Sequence, residues 1–244
     1  MAEAARVTTA DTIVEIGPGL GTLTKVLLAR GAKVTAVEFD RDLAAKLPQN
    51  IHLEDGPLDG QLTVANEDIL RFDFSAVPAP YKVVANIPYY LTSNLIRVLS
   101  ESSNPPNRSV LLIQKEVAER VCAEPGDMSI LSVTAQFYWE VSLGRVVEAE
   151  LFTPPPKVDS QILIMQYRPQ PLFDDVDTKQ FFRLVKAGFS QKRKTLTNSL
   201  SGGLAISKED ARGLLRSADI AENTRAQALS LDEWHELYLA SQNA

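Results

Sequence analysis

One cysteine, Cys122, stands among 244 residues, so no disulfide can form within the chain. Only two histidines accompany it, which leaves no Cys/His zinc site, and no metal is expected. No apolar run approaches the ~20 residues that a membrane helix needs, so no membrane partner is expected. The opening MAEAARVTTA lacks the apolar core of a secretory signal. Internal repeats and low-complexity tracts are also missing. Basic residues are the minority sign, 25 against 31 acidic, for a net charge of −6. On its face that balance argues against a nucleic-acid partner. What remains is ordinary globular composition, 45% hydrophobic and 23% charged. The length suits one large domain, or one domain with a small appendage. The expectation is a soluble, cytoplasmic monomer.

Apolar β-rich runs alternate with helical patterns from the start. Strands are expected at 11–16, 33–39, 62–65, 81–85 and 109–113, with helices at 22–30, from Asp40, and near 92–100. Residues 52–60 read as a turn. Strands alternating with helices at this spacing predict a parallel α/β sheet with right-handed crossovers. Two further strands, 141–147 and 160–167, flank Phe152-Thr-Pro-Pro-Pro and suit an antiparallel pair at the sheet edge. After Asp177 only helical patterns remain, at 181–189, 196–200, 208–215 and 231–240. The expected division is therefore a catalytic sheet domain over 1–171 and a small all-helical domain over 172–244.

Three glycines at 17, 19 and 21 fill the turn between the first strand and first helix. Glycine there lets the backbone approach a ligand closely and take positive φ. A turn that merely packs a helix onto its strand would use the same residues. Glu38 ends the second strand, 21 residues after Gly17, where a carboxylate can accept both hydroxyls of a ribose. Asp68 follows the third strand and is placed to accept from an exocyclic amine. The dinucleotide fingerprint puts its third glycine three residues after the second, but position 22 is threonine. A ribose and adenine without a pyrophosphate fit this turn better, as in S-adenosylmethionine. Glu15 would repel a pyrophosphate but can help to hold the cofactor's ammonium.

Asn86-Ile-Pro-Tyr89 directly follows the fourth strand. An amino group on an aromatic base is a poor nucleophile because its lone pair is delocalised into the ring. The Asn86 side-chain oxygen and the Ile87 carbonyl can accept its two hydrogens and favour a pyramidal nitrogen. Pro88 fixes the backbone, and Tyr89 can stack on the base. Methyl transfer is then in-line displacement driven by positioning. A capped turn with Tyr89 in the core is the plainer alternative.

These features resemble the ribosomal RNA adenine dimethyltransferases, most closely those of the small subunit. The resemblance covers essentially the whole chain. It rests on VEIGPGLGTLT (14–24), VEFDRDLA (37–44), NEDIL (66–70), VVANIPYYLTSNLI (83–96), IQKEVAERV (113–121), LFTPPPKVDS (151–160) and FSQKRKTLTNSL (189–200). It implies a Rossmann-like methyltransferase sheet with a C-terminal helical domain. It implies that Gly17, Glu38, Asp68 and Asn86 contact S-adenosylmethionine, with Glu15 and Gly19 in the same turn, and that Asn86–Tyr89 hold adenine N6. Phe152 would offer a second stacking face. The expected substrate is 16S rRNA in the small subunit or its precursor, methylated on two adjacent adenosines near the 3′ end.

The chain departs from the family pattern in two places. Members usually carry a few tens of residues before the first strand, including a Gln-Asn-Phe-Leu-like cofactor segment. Here MAEAARVTTAD reads as the tail of the preceding helix, and weak cofactor binding is the expectation. Before LSV, the usual Gly/Arg pair is replaced by Met128-Ser-Ile.

The charge now reads differently. Residues 179–194 hold six basic residues and no acidic one, so the remaining chain carries −12. Lys192, Arg193 and Lys194 are the expected RNA contacts, with affinity falling as salt rises. Trp139 and Trp234 are read as packing, Cys122 as a buried small residue, and His52 and His235 as surface groups. Asp40 and Asp42 are read as charging a helix start.

Overall fold

The computed structural model describes residues 1–51, 60–170 and 172–242, with Tyr89 described by its backbone. The turn expected at 52–60 therefore lies outside the described residues except for Gly60. Two compact units emerge: residues 1–119 with 139–168, and residues 120–138 with 169–244.

The first unit is a seven-stranded sheet in the order β3-β2-β1-β4-β5-β7-β6. Its strands are β1 (Thr12–Ile16), β2 (Lys33–Glu38), β3 (Leu62–Asn66), β4 (Tyr81–Asn86), β5 (Arg108–Gln114), β6 (Trp139–Val147) and β7 (Ser160–Tyr167). The first five pair in parallel. β7 runs antiparallel to both β5 and β6, so the expected edge pair is present. The helices are α1 (Thr22–Ala29), α2 (Arg41–Asn50), α3 (Thr92–Glu101) and α4 (Lys115–Val121). Chain order reverses direction between β1 and β4, and such a reversal leaves a crevice at the carboxyl ends of the strands.

Apolar side chains dictate these elements. β1 and β4 are buried on both faces, with Ile13, Val14, Val83 and Val84 fully covered. Asp40 caps α2, its Oδ1 accepting from the N–H groups of Asp42 and Leu43. At the other end of the sheet, the first turn closes as helices end. Arg6 has φ +50°, and the Arg6 and Val7 amides bond back to the Glu3 and Ala2 carbonyls. Its outer carbonyls are taken up by the sheet: Lys82 Nζ donates to Arg6 O, and the Arg108 guanidinium donates to Ala4 O.

The second unit contains α5 (Ile130–Tyr138), α6 (Thr178–Gly188), α7 (Leu196–Leu204), α8 (Lys208–Ser217) and α9 (Leu231–Gln242). Its boundary differs from the sequence expectation. Residues 120–138 join the later helices because Val133 and Phe137 pack into the cluster around Phe181, Leu200 and Trp234. Helix α5 itself was not expected, nor was α4. Trp139 and Trp234 are both fully buried in their own units. His235 is no free surface group: its ring lies 4.1 Å from Phe173 and 2.7 Å from Asp175 Oδ1. Cys122 is half-buried, which pushes its thiol up to about 11.

Gly203 brings α7 against α6. A Cβ there would sit 2.6 Å from Ala187 Cα. Gly203→Ala is expected to lower stability by about 1–3 kcal/mol, since the clash outweighs the helix-propensity gain. Thermal denaturation should show Tm falling by roughly 2–10 °C.

Candidate active site

Four strand ends assemble the site. β1 and β4 are neighbours in parallel register, Ile16 beside Ala85, so the glycine turn and Asn86 emerge side by side. Gly17, Gly19 and Gly21 take φ of +64°, +55° and +86°, values only glycine adopts readily. A Cβ on Gly17 would lie 3.8 Å from Asn86 O, and one on Gly21 would strike Leu47 at 2.9 Å. The two glycines therefore serve different needs: Gly17 is called for by its positive φ, and Gly21 also admits α2 against the turn.

Glu38, at the end of β2, is 7% exposed. Its Oε2 accepts from Gly19 N–H at 3.1 Å and its Oε1 from Asp40 N–H at 3.0 Å. The carboxylate thus joins the glycine turn to the start of α2, and each oxygen keeps a second lone pair for a ligand. Asn66, at the end of β3, donates its amide to the Glu38 and Phe39 carbonyls at 2.9 and 3.0 Å. Asp68 turns back on itself through Leu70 N–H at 3.0 Å. Among the described residues its Oδ2 has no partner.

Glu15 is 1% exposed, and among the described residues its Oε2 has no hydrogen-bond partner. Thr24, in the first turn of α1, is buried beside it. Burial pushes the Glu15 carboxyl up to about 7; Thr24 opposes the shift and the negative Glu38 adds to it. The shift costs the free protein about 3 kcal/mol once Glu15 ionises, because its pKa in the unfolded chain is lower. That penalty is absent below the unfolded value, grows as pH rises, and is complete above 7.

Asn86 is exposed, and its side chain has no partner among the described residues. Ile87 is buried, while Pro88 and Tyr90 are exposed. The Leu91 amide bonds to Pro88 O at 3.0 Å and closes the turn. Phe152 is half-buried and packs against the sheet core. Lys192, Arg193 and Lys194 are exposed in the second unit, with no ion pair among the described residues.

Sequence reading missed two residues here. Phe39 is 77% exposed directly after Glu38, an apolar ring at a strand end. Asn66 is the bridge between β2 and β3. The first carries a signal, a large apolar residue directly after an acidic strand end. The second carries none, because its role depends on strand register.

The sequence model of the family described as Ribosomal RNA adenine dimethylase matches residues 1–243. The chain belongs to that family. Ribosomal RNA small subunit methyltransferase A of Dehalococcoides mccartyi (strain 195) is 39% identical over 232 residues, covering 94% of this chain and 78% of that protein. The protein of the same name from Clostridioides difficile (strain 630) is 37% identical over 238 residues, covering 94% and 81%. Among solved structures, a dimethyladenosine transferase from Plasmodium falciparum superposes with a TM-score of 0.83 at 26% identity, covering 99% of this chain and 94% of that one. The 23S rRNA methyltransferase ErmE does so with 0.73 at 26%, covering 98% and 94%.

Membership makes the chain an S-adenosylmethionine-dependent adenine dimethyltransferase of ribosomal RNA. The site is chemically suited to that cofactor. A glycine cradle leaves room for it, the fixed Glu38 carboxylate suits a ribose diol, and the buried Glu15 carboxylate suits an ammonium. Among the described residues, no helix is long and apolar enough to cross a membrane.

Proposed function

We propose that this enzyme dimethylates N6 of two adjacent adenosines near the 3′ end of 16S rRNA, within the small subunit or its precursor. The observation that carries the reading is the order of groups along one sheet edge: glycine turn, Glu38, Asp68 and Asn86 at the ends of successive parallel strands. The small-subunit relatives support the choice of RNA.

Gly17 and Gly19 let the cofactor lie against the backbone, Glu38 takes its ribose, Asp68 its exocyclic amine, and Glu15 its ammonium. When bound, S-adenosylmethionine supplies an electrophilic methyl group on sulfur. The protein must present the N6 lone pair along the line of that bond. Asn86 Oδ1 and Ile87 O accept the two N6 hydrogens, which turns the lone pair out of the ring system. They also stabilise positive charge as it develops on nitrogen. Pro88 fixes both acceptors, while Tyr89 and Phe152 stack on the base, which has left its helix to reach them. The methylated nitrogen, cationic as the new N–C bond forms, sheds one proton to solvent; one N6 hydrogen then remains, so one acceptor suffices for the second transfer. Lys192, Arg193 and Lys194 hold RNA phosphates.

Mapping the methylated nucleotides on undermethylated small subunits tests the assignment. N6,N6-dimethyladenosine is expected at the adjacent pair. Modification of 23S rRNA instead, or of neither RNA, would overturn it.

Glu15 provides a second test. A cationic ammonium beside it favours its ionised form, so cofactor binding releases a proton below pH 7. Calorimetry should show S-adenosylmethionine affinity rising by up to about tenfold per pH unit toward 7, then levelling. Glu15→Gln should bind more weakly and flatten the profile. A wild-type profile that is already flat from pH 5.5 to 8 would sink the assignment.

A further inference from the structure

A cavity of about 530 Å³ opens in the first unit at the carboxyl end of β5. It lies outside the cofactor crevice and the adenine turn, and neither reading uses it. Gln114, Lys115, Lys157 and Val158 line it, together with Glu116 and Glu119 of α4. Its walls are held by two hydrogen bonds to Asp159: Lys115 N–H donates to its backbone O at 3.0 Å, and Ala149 N–H donates to its Oδ1 at 3.0 Å. Four polar side chains of the lining are uncommitted. Among the described residues, the Gln114 amide, the Lys115 and Lys157 ammonium groups and the Glu119 carboxylate have no partner. Val158 is 46% exposed.

This set has the chemistry of a nucleotide site. A glutamine amide can pair two-pronged with adenine N6 and N7. A carboxylate accepts from an exocyclic amine or a 2′-hydroxyl. Lysines on two walls suit phosphates, and an exposed valine gives the base an apolar face. A purely anionic ligand is disfavoured by the carboxylates of Glu116, Glu119 and Asp159, and an apolar one by the lysines.

Position decides which nucleotide. β5 is the strand next to β4, and Asn86 pairs with Leu112. Gln114 lies two residues further along, so its Cα is roughly 8 Å from that of Asn86, from strand spacing and rise. That is the neighbourhood of the next nucleotide in a splayed single strand.

We propose that this cavity holds the nucleotide adjacent to the target adenosine, so that one base sits at Asn86–Tyr89 while its neighbour rests on Gln114 and Val158. The proposal builds on the assignment of an adjacent adenosine pair as substrate. Two neighbouring targets would then be bound together and exchanged between subsites, which gives the enzyme its preference for a pair.

The test uses undermethylated small subunits, Gln114→Ala, exposed-site Lys157→Ala and their combination, with mass spectrometry resolving each adenosine. The double variant should raise KM for the subunit about tenfold or more. It should also leave an excess of molecules modified at one adenosine only, with S-adenosylmethionine affinity unchanged by calorimetry. A double variant with the wild-type KM and the wild-type product pattern would overturn the proposal. Failure of the underlying function would show differently: the unaltered enzyme would leave the adjacent pair unmodified.

Discussion

Asn86→Ala should lower kcat by about a hundred- to a thousandfold, the usual scale for removing one preorganised group that meets transition-state charge. Asn86 ends β4 with its side chain exposed and unpartnered, so its removal leaves no cavity and no orphaned partner. Tm should therefore stay within about a degree of the wild type. The loss should fall on turnover more than on KM, because the second acceptor, Ile87 O, belongs to the backbone and survives. Single-turnover methylation of undermethylated subunits measures the chemical step directly. If the variant turns over at even a third of the wild-type rate, Asn86 does not orient the amine and the adenine site lies elsewhere.

Glu38→Ala should weaken S-adenosylmethionine binding by about a hundredfold or more. Hydrogen bonds to a charged acceptor contribute about 1.5–3 kcal/mol each, and a ribose diol makes two. The loss goes beyond ligand contacts. Glu38 also fixes Gly19 N–H and Asp40 N–H, so alanine leaves the glycine turn and the start of α2 without their common anchor. Glu38→Gln separates the effects. Its amide oxygen can hold one backbone N–H while the amide nitrogen cannot accept, so its affinity should fall between wild type and alanine. Calorimetry that finds all three proteins equal would remove Glu38 from the cofactor site.

Much of this site was legible in the residues because each group sits at the end of an apolar run. Runs such as TIVEI and YKVVAN announce buried strands, and the residues at and just past their ends must lie at the carboxyl edge of a parallel sheet. Helix α5 was harder to see. Ile130–Tyr138 is rich in β-branched and aromatic residues, and its packing partners lie much later in the chain. Residues 120–138 were placed with the sheet domain for the same reason, since a segment contributed out of order leaves no mark on local composition. Paired contacts at long separation were also hidden. Nothing near His235 in the sequence announces Asp175, and nothing near Asn66 announces the Glu38 carbonyl.

The opening turn carries a kinetic consequence. Its carbonyls are held by Lys82 and Arg108, the latter at a separation of 104 residues. Such contacts close only after the intervening chain is in place, because loop-closure entropy must be met first. The turn is thus expected to close late, as a clasp on a preformed sheet. Weakening it should speed unfolding more than it slows folding.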